Sequence, residues 1–421
     1  MHHFKYRGDA LFCEDVSIAD IAKEVGTPFY LYSHATVERH YLAFEDALRE
    51  TEHLVCYSVK ANSNLAILSI FAGLGSGFDI VSAGELFRVL KAGADPSKVV
   101  FSGVGKGDDE IRYALEQDIL MFNVESLQEL EAINRVAADL NQIARIAFRV
   151  NPDVDPRTHP YISTGLKKNK FGIPIEAAPE AYRRARTLAH VEPVGVDCHI
   201  GSQLTDIGPF VDSIDRVRSL IADLRNDDYN IAYLDLGGGL GISYDEEDPP
   251  HPTEYGRALI RHTKDLGLKL VLEPGRVIMG NAGILVTRVR YTKENHGRKF
   301  FIVDAGMNDL IRPSLYSAYH RIQAVQRKIT DSVTADIVGP ICESGDFLAQ
   351  DRDMQPYEPG DLVAVMSAGA YGFVMASNYN TRPRVPEILV SADRYDVVRK
   401  REMLEELIAG ERIPGFLRKP G

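Results

Sequence analysis

The sequence predicts a (β/α)₈ barrel combined with a separate β domain, and three observations carry this prediction. From about residue 54, short β-branched runs alternate with amphipathic helical segments, the pattern typical of α/β proteins. Eight such runs fall between residues 54 and 273, which suits the length of a barrel. After about residue 280, strand-like runs follow one another without regular helices. An open, doubly wound sheet is the alternative, and the count of eight favours the barrel.

The predicted barrel strands are short runs of apolar and β-branched residues, separated by helical segments whose apolar residues recur three and four positions apart. The segment SLQELEAINRVAADL is one such helix. The strands are predicted at 54–59, 78–81, 99–103, 121–124, 145–150, 195–200, 233–236 and 269–273.

The β domain is predicted from runs such as GILVTRVRYTKE, RKFFIVDAG, DLVAVMSAGAYG and PEILVSAD. A helix is expected near the C-terminus, beginning close to Lys400. Residues 1–34 also contain strand-like pieces, FKYRGDALFC and FYLYS, and are expected to pack with the later strands. The predicted boundaries are therefore 35–280 for the barrel, and 1–34 together with 281–421 for the β domain.

Composition excludes several classes of protein. Lys and Arg number 48 against 60 Asp and Glu, a net charge of −12, so binding to nucleic acid is not expected. No run of 18 apolar residues and no signal-peptide pattern is present, so no membrane association is expected. The four cysteines form no CxxC pair, which argues against a metal site and favours a reducing, cytoplasmic location.

Chemically versatile residues follow the predicted strands, where barrels carry their active sites. Lys60 follows the first strand, His199 the sixth, a glycine-rich run at 237–241 the seventh, and Glu273 the eighth. A lysine can form a Schiff base, and glycines let the backbone approach a phosphate. A carboxylate can keep a pyridine nitrogen protonated. This combination indicates pyridoxal phosphate chemistry, although each residue alone is more often an ordinary loop, turn or core residue.

The motifs YSVKAN, HIGSQ, LDLGGGLG, EPGR and CESGD, in this order, resemble the fold-type III pyridoxal phosphate enzymes, the alanine racemase-like group. The segments DAGMNDLIRPSLY, GPICESGDFLA and AYGFVMASNYNTRPRVPE are similar to those of the diaminopimelate decarboxylases within that group. The resemblance runs nearly end to end. It implies a barrel with a C-terminal β domain and decarboxylation of meso-2,6-diaminopimelate to L-lysine and CO₂, the last step of lysine biosynthesis.

The resemblance also implies roles for residues of the barrel. Lys60 is expected to bind pyridoxal phosphate as a Schiff base, and Glu273 to hold the proton on its ring nitrogen. His199 is expected to stack on the ring, and Asp79 to support the site from behind. The residues expected near the cofactor phosphate are Ser202, Gly238, Gly239, Gly275 and Arg276, of which Arg276 is also expected to contact substrate.

In the β domain, Arg312 and Tyr316 stand four residues apart, on one face of a helical turn. The resemblance assigns them to the distal carboxylate of the substrate, which an arginine fork suits. Cys342 is implied as the proton donor and Glu343 as a contact to the distal amine. Tyr371 is implied to reach both cofactor phosphate and substrate. Relatives form head-to-tail homodimers in which Cys342 enters the partner's active site, so the same is expected here.

Several alternatives stay open at this point. Decarboxylation of ornithine, arginine or carboxynorspermidine is the nearest, and amino-acid racemisation the next, although Glu273 and Cys342 argue against a racemase. A pyridoxal phosphate carrier protein would lack the β domain, and an inactive homologue would lack Lys60 or Cys342. The long connection 151–172 is expected to close over the site, with His159 near the mouth; packing against a partner subunit is its alternative.

Overall fold

The computed structural model describes residues 2–154 and 170–417. The chain divides into two compact units. One unit spans Ala35–Ala282, and the other joins His2–His34 to Gly283–Gly421. His159 and most of the connection 151–172 lie outside the described residues, so the expectation that this segment closes over the site stays a prediction.

The N-terminal segment begins with a small antiparallel sheet and ends in a buried strand. Its elements are β1 (Phe4–Arg7), β2 (Ala10–Cys13), β3 (Val16–Ser17), α1 (Ile18–Val25) and β4 (Phe29–Ser33). Helix α1 begins after Ser17, whose side chain accepts a hydrogen bond from the Asp20 backbone N–H, as is typical of an N-cap. Every residue of β4 is buried, which explains its run of aromatic and aliphatic side chains.

The first unit is a closed barrel of eight parallel strands. Closure comes from the pairing of β13 with β5 and of β8 with β9, which excludes the open doubly wound sheet. Each predicted barrel strand is confirmed, while β10 is a short addition paired with β9. The strands are β5 (His53–Ser58), β6 (Gly77–Ile80), β7 (Val99–Phe101), β8 (Met121–Val124), β9 (Ala144–Asn151), β10 (Ile173–Pro174), β11 (Val191–Asp197), β12 (Tyr233–Asp235) and β13 (Lys269–Leu272).

Helices connect these strands, and three of them begin at polar caps that the sequence supplies. Asn64, Ser82 and Ser126 each accept a backbone N–H in the first turn of α3, α4 and α6 respectively. The helices are α2 (His34–Leu48), α3 (Leu65–Gly73), α4 (Ala83–Lys91), α5 (Asp108–Glu116), α6 (Leu127–Asp139), α7 (Ala178–Arg186), α8 (Gly208–Asn226), α9 (Pro252–Thr263) and α10 (Arg276–Met279).

The barrel interior is apolar at mid-height. Residues that lie opposite each other in the register of neighbouring strands face the same side of the sheet, so the pairing identifies the inward positions. Those positions form one packed cluster, and they are Leu54, Cys56, Val100, Met121, Ala147 and Val271. This cluster, which we call the apolar floor, lies directly below the carboxyl end of the barrel.

The second unit is a mixed β domain. The long strand β14 pairs with β15, β19 and the N-terminal β4, and β4 also pairs with β20. Its elements after β4 are β14 (Gly283–Asn295), β15 (Arg298–Val303), α11 (Arg312–Tyr316), β16 (Ile322–Ala324), β17 (Val333–Val338), β18 (Phe347–Met354), β19 (Leu362–Val365), β20 (Glu387–Ser391), β21 (Arg394–Arg399) and α12 (Leu404–Leu407).

The N-terminal segment contributes to the core of this unit. Phe29 and Leu31 of β4 pack with Ile284, Val286 and Ile388 in one buried cluster. The helix predicted from Lys400 is present but spans only Leu404–Leu407. In the described parts of the chain, no helix is both long enough and apolar enough to cross a membrane.

Candidate active site

Polar side chains crowd the carboxyl end of the barrel, immediately above the apolar floor. Each strand contributes one, at its last inward position or just beyond it, and each is at most 6% exposed. We call this set the polar ring, and its members are Ser58, Asp79, Ser102, Asn123, Arg149, Asp197, Asp235 and Glu273. Burying so many polar groups is unfavourable unless they bond to each other or to a ligand, so the ring marks a binding site.

Lys60 lies at the mouth of the barrel and contacts the ring through Asp79. Its Nζ is 2.5 Å from Asp79 Oδ2, and the Ser58 hydroxyl donates to the same oxygen at 2.5 Å. The Lys60 side chain is 38% exposed, whereas that of Asp79 is fully buried. The carboxylate therefore holds the amine in place while leaving it accessible to a ligand.

Glu273 follows the last barrel strand and points into the ring. Its Oε1 accepts hydrogen bonds from the Ser102 hydroxyl at 3.2 Å and from Asn123 Nδ2 at 3.3 Å. Burial and the nearby Asp79 carboxylate raise the pKa of Glu273 to about 7, while Lys60 opposes them.

His199 is neutral in this setting. Burial, together with the positive charges of Arg149 and Lys60, lowers its pKa well below the usual range. The Gly238 backbone N–H donates to His199 Nδ1 at 3.2 Å, which places the ring proton on Nε2. A neutral imidazole can lie flat against an aromatic ring without adding a charge to the site.

The glycine-rich run approaches its neighbours too closely for a side chain. A Cβ atom at Gly238 would lie 2.3 Å from the Glu273 carbonyl oxygen. Gly239 has a φ of +117°, and a Cβ there would lie 2.7 Å from the Gly201 carbonyl oxygen. These glycines let the loop fold against the mouth with its backbone presented to a ligand.

Ser202 and Arg276 are brought together, as the shared role predicted for them requires. Arg276 Nη2 donates to Ser202 Oγ at 3.1 Å, and its Nη1 donates to the Tyr244 hydroxyl at 2.8 Å. Because the Ser202 oxygen accepts from arginine, its own proton points elsewhere and is available to an anion. Gly275 precedes Arg276 in the chain. A Cβ atom at Gly275 would lie 3.0 Å from the Cβ atoms of Ser58 and Ala61.

Sequence reasoning missed several members of this site. A usable signal was present for those that come from the barrel strands, because each lies two residues after an inward residue of its strand, as Asn123 follows Met121 and Arg149 follows Ala147. Recognising this pattern requires knowing which residues of each strand face inward, and short sequence motifs do not give that information. The missed residues are Ser102, Asn123, Arg149, Asp197, Asp235 and Tyr244.

The residues present fit pyridoxal phosphate, the cofactor implied by resemblance. Within the described residues, the buried oxygens Asp79 Oδ1 and Asp197 Oδ1 have no hydrogen-bond partner. The polar ring therefore has acceptors left for a ligand. Lys60 supplies an amine for the aldehyde and Glu273 a carboxylate for the ring nitrogen. The glycine loop with Ser202 and Arg276 suits the phosphate.

In the second unit, Arg312 is buried and oriented. Its Nη1 donates to His320 Nε2 at 3.1 Å, and His320 Nδ1 donates in turn to the Met366 carbonyl at 2.8 Å. The two contacts require a neutral His320 with its proton on Nδ1. The guanidinium is thus oriented by a neutral imidazole, and its planar set of donors suits a carboxylate. His320 was not found by sequence reasoning.

Tyr316 and Tyr371 are half-buried residues of the same unit. Tyr316 ends helix α11, one turn after Arg312, as the spacing predicted. Tyr371 has a φ of +55°, a left-handed conformation that is uncommon for a residue other than glycine and occurs often at functional sites. The adjacent Gly372 permits this turn, because a Cβ there would lie 2.4 Å from the Ala368 carbonyl oxygen.

Cys342 and Glu343 lie on an exposed loop, 341–346, which we call the cysteine loop. Asp346 fastens the loop, because its Oδ2 accepts from the Ile341 N–H and its Oδ1 from the Met307 N–H, both at 2.6 Å. The Cys342 N–H donates to Asn380 Oδ1 at 2.8 Å. The backbone is thus fixed while the side chains of Cys342 and Glu343 remain exposed.

Comparison with known proteins identifies relatives along nearly the whole chain. Residues 34–280 match the model of the pyridoxal binding domain of pyridoxal-dependent decarboxylases. Diaminopimelate decarboxylase of Pseudomonas aeruginosa is 56% identical over 98% of this chain and 99% of its own length. The enzyme of Vibrio cholerae is 52% identical over 98% and 99%.

Solved structures agree. Diaminopimelate decarboxylase of Helicobacter pylori, complexed with L-lysine, has a TM-score of 0.90 and 44% identity, covering 93% of this chain and 98% of that one. The enzyme of M. jannaschii, also in complex with L-lysine, has a TM-score of 0.94 and 39% identity, covering 99% of both chains. With the family model and full-length relatives in agreement, the chain belongs to the diaminopimelate decarboxylases of the pyridoxal-dependent decarboxylase family.

Proposed function

We propose that this protein removes the carboxylate at the D-centre of meso-2,6-diaminopimelate, giving L-lysine and CO₂, and so completes lysine biosynthesis. The observation that carries the proposal is end-to-end identity of 56% to a diaminopimelate decarboxylase. The buried guanidinium of Arg312 adds to it, since a second carboxylate on the substrate needs a cation of this kind.

Bound pyridoxal phosphate supplies the electron sink that accepts the electron pair left behind by CO₂. Lys60 is the amine that attaches the cofactor, and Asp79 holds that amine at 2.5 Å and stabilises its proton. When not attached to the cofactor, Lys60 would supply a free amine close to the substrate. The hydroxyl of Ser58 holds the Asp79 carboxylate in place at 2.5 Å.

Glu273 holds the proton at the cofactor's ring nitrogen. An ionised carboxylate at this position would favour the protonated form of that nitrogen. Neutral His199 would stack on the cofactor ring. The phosphate is bound by the backbone of Gly238 and Gly239, by the Gly275–Arg276 turn and by the hydroxyl of Ser202.

The second unit supplies the groups for the substrate. Arg312 binds the distal carboxylate, oriented by His320, and Tyr316 binds beside it on the next helical turn. Glu343 binds the distal amine. Tyr371 and Arg276 contact both the cofactor phosphate and the substrate.

Cys342 Sγ donates the proton that replaces CO₂ at the reacting carbon. In the single chain this side chain is exposed, whereas a proton donor works best where bulk water is excluded. This supports a homodimer in which the cysteine loop of one subunit enters the active site of the other. Four free cysteines support a cytoplasmic location.

The test is CO₂ release by the purified holoenzyme from a panel of amino acids. The panel contains meso- and L,L-diaminopimelate, L- and D-ornithine, L-arginine, L-lysine and carboxynorspermidine. Release from the meso compound alone, with L-lysine as product, is the expected result. Release only from substrates that lack a distal carboxylate would overturn the substrate and the role of Arg312, while leaving the role of Lys60 intact.

A further inference from the structure

The side-chain amide of Asn123 contacts two carboxyl groups, that of Asp235, which precedes the glycine-rich run in the chain, and that of Glu273, which follows it. Asn123 Nδ2 lies 3.0 Å from Asp235 Oδ2, 3.3 Å from Glu273 Oε1 and 3.1 Å from Ser102 Oγ. Asn123 is fully buried, at the end of the fourth barrel strand. Its two amide protons are therefore shared among Asp235, Glu273 and Ser102.

The orientation of this amide follows from its neighbours. Asn123 Oδ1 has no hydrogen-bond partner among the described residues, a condition that is unfavourable for a buried acceptor. The reversed orientation would place that oxygen against Asp235 and Glu273, two acceptor groups. The observed orientation leaves Asn123 Oδ1 without a partner but provides both carboxyl groups with a hydrogen-bond donor.

Asp235 also positions the glycine-rich run. Its Oδ1 accepts the Gly237 N–H at 2.9 Å, and the Gly237 carbonyl accepts the Glu273 N–H at 2.7 Å. The Glu273 backbone is thereby tied to Asp235, while its side chain is tied to Asn123 and Ser102. Both side-chain donors bind Oε1, so Oε2 is the oxygen that would accept a hydrogen bond from the cofactor.

The groups that face Glu273 carry both signs of charge. Asp79, Asp197 and Asp235 are negative when ionised, and Lys60 and Arg149 are positive. Arg149 is already paired with the buried Glu125 at 2.8 Å, so carboxyls outnumber cations around Glu273. Donation from a neutral amide lowers the repulsion between Asp235 and Glu273 without adding a further charge.

We propose that Asn123 is a positioning residue for the decarboxylation, which orients the Glu273 carboxylate and keeps it ionised opposite the cofactor's ring nitrogen. It acts through Glu273 and touches neither the substrate nor the reacting carbon. The inference rests on the proposed function only for the identity of the cofactor, and it holds for any substrate that the enzyme takes.

The experiment compares wild-type holoenzyme with Asn123→Leu, each loaded with pyridoxal phosphate carrying ¹⁵N in its ring. Leucine is close in size but donates no hydrogen bond, so Glu273 should bind its proton more tightly. At pH 8 without substrate, the ¹⁵N resonance should move from the protonated toward the unprotonated position. With substrate, kcat should fall about tenfold or more, the equivalent of one pKa unit, with KM nearly unchanged.

The matched control is Met121→Val, an inward residue two positions earlier on the same strand, which should leave the ¹⁵N resonance unmoved. If Asn123→Leu does not fold, Ser102→Ala removes the other donor to Oε1 and should shift the resonance in the same direction by less. An unchanged resonance and kcat in a folded variant with bound cofactor would overturn the proposal. Failure of the substrate assignment instead appears as wild-type enzyme that releases no CO₂ from diaminopimelate while the ¹⁵N effect persists.

Discussion

The polar ring of the barrel and the cysteine loop of the β domain differ in burial and in how their side chains are held. Every member of the ring is buried, and its donors and acceptors are paired largely with each other. Cys342 and Glu343 are exposed, and only the backbone around them is fastened, by Asp346 and Asn380. The barrel thus preorganises a polar site within one chain, while the loop has a fixed backbone and exposed side chains.

This difference separates stability from activity in the two regions. Removing a buried hydrogen-bonding group leaves its partner unsatisfied, at a penalty of about 1–3 kcal/mol. Substitutions at exposed side chains usually change the free energy of unfolding by no more than about 0.5 kcal/mol. Ring variants should therefore affect folding and chemistry together, whereas loop variants should affect chemistry alone.

The largest effect is expected for Lys60→Ala. Loss of the attaching amine should lower kcat by about 10³-fold or more. Borohydride reduction of the wild-type holoenzyme, followed by peptide mass spectrometry, should find the cofactor on Lys60. The exposed lysine variant Lys91→Ala serves as the control and should keep both the label and the activity. A label on another lysine would contradict the assignment of the barrel mouth.

The next effect tests the exposed side of the comparison. Cys342→Ala should lower kcat by about 10²–10³-fold, the usual contribution of a positioned proton donor. Its unfolding midpoint in urea should match that of the wild type. Ser344→Ala, an exposed neighbour on the same loop, should change neither quantity. A variant that loses stability but keeps its kcat would mean that Cys342 is structural.

A smaller effect is expected for Arg312→Lys, which keeps the charge but loses the fork. KM for meso-diaminopimelate should rise by about 10–100-fold, since a charge-assisted hydrogen bond contributes about 1.5–3 kcal/mol. Steady-state kinetics would measure this rise. Arg321→Lys, on an exposed residue nearby in sequence, should leave KM unchanged. An unaltered KM for Arg312→Lys would remove this residue from substrate binding.

The smallest effect concerns the pH dependence of the cofactor-free protein. Glu273 has a pKa of about 7 in the folded chain against a usual value of 4.5, so the folded state binds the proton more tightly. This contribution to stability is complete below pH 4.5 and is lost as the pH rises through 7. Between pH 6 and pH 8, wild-type protein should lose about 1 kcal/mol more than Glu273→Gln, as measured by urea unfolding at each pH. Equal losses in both proteins would show that Glu273 is not the titrating group.

Much of this molecule was predictable from local pattern. The eight barrel strands and the residues at their ends were accessible because parallel strands bring their carboxyl ends to one face of a barrel. Lys60, Glu273 and His199 could therefore be grouped from the sequence alone. The C-terminal helix was predicted to begin close to Lys400, but it forms only over Leu404–Leu407.

The residues that were missed depend on register and tertiary contact. Nothing in the sequence near Asn123 indicates that its amide reaches Asp235 and Glu273, which lie more than 100 positions away. His320 likewise orients Arg312 only because the chain turns back after α11.

The sequence by itself determined the order of elements and which residue types stand at the end of each strand, because hydrophobic periodicity and turn residues are local properties. Only the tertiary structure decided which buried side chains share a hydrogen bond and how burial shifts their pKa values. Those outcomes depend on barrel closure, which packs eight polar residues from eight strands into one buried space.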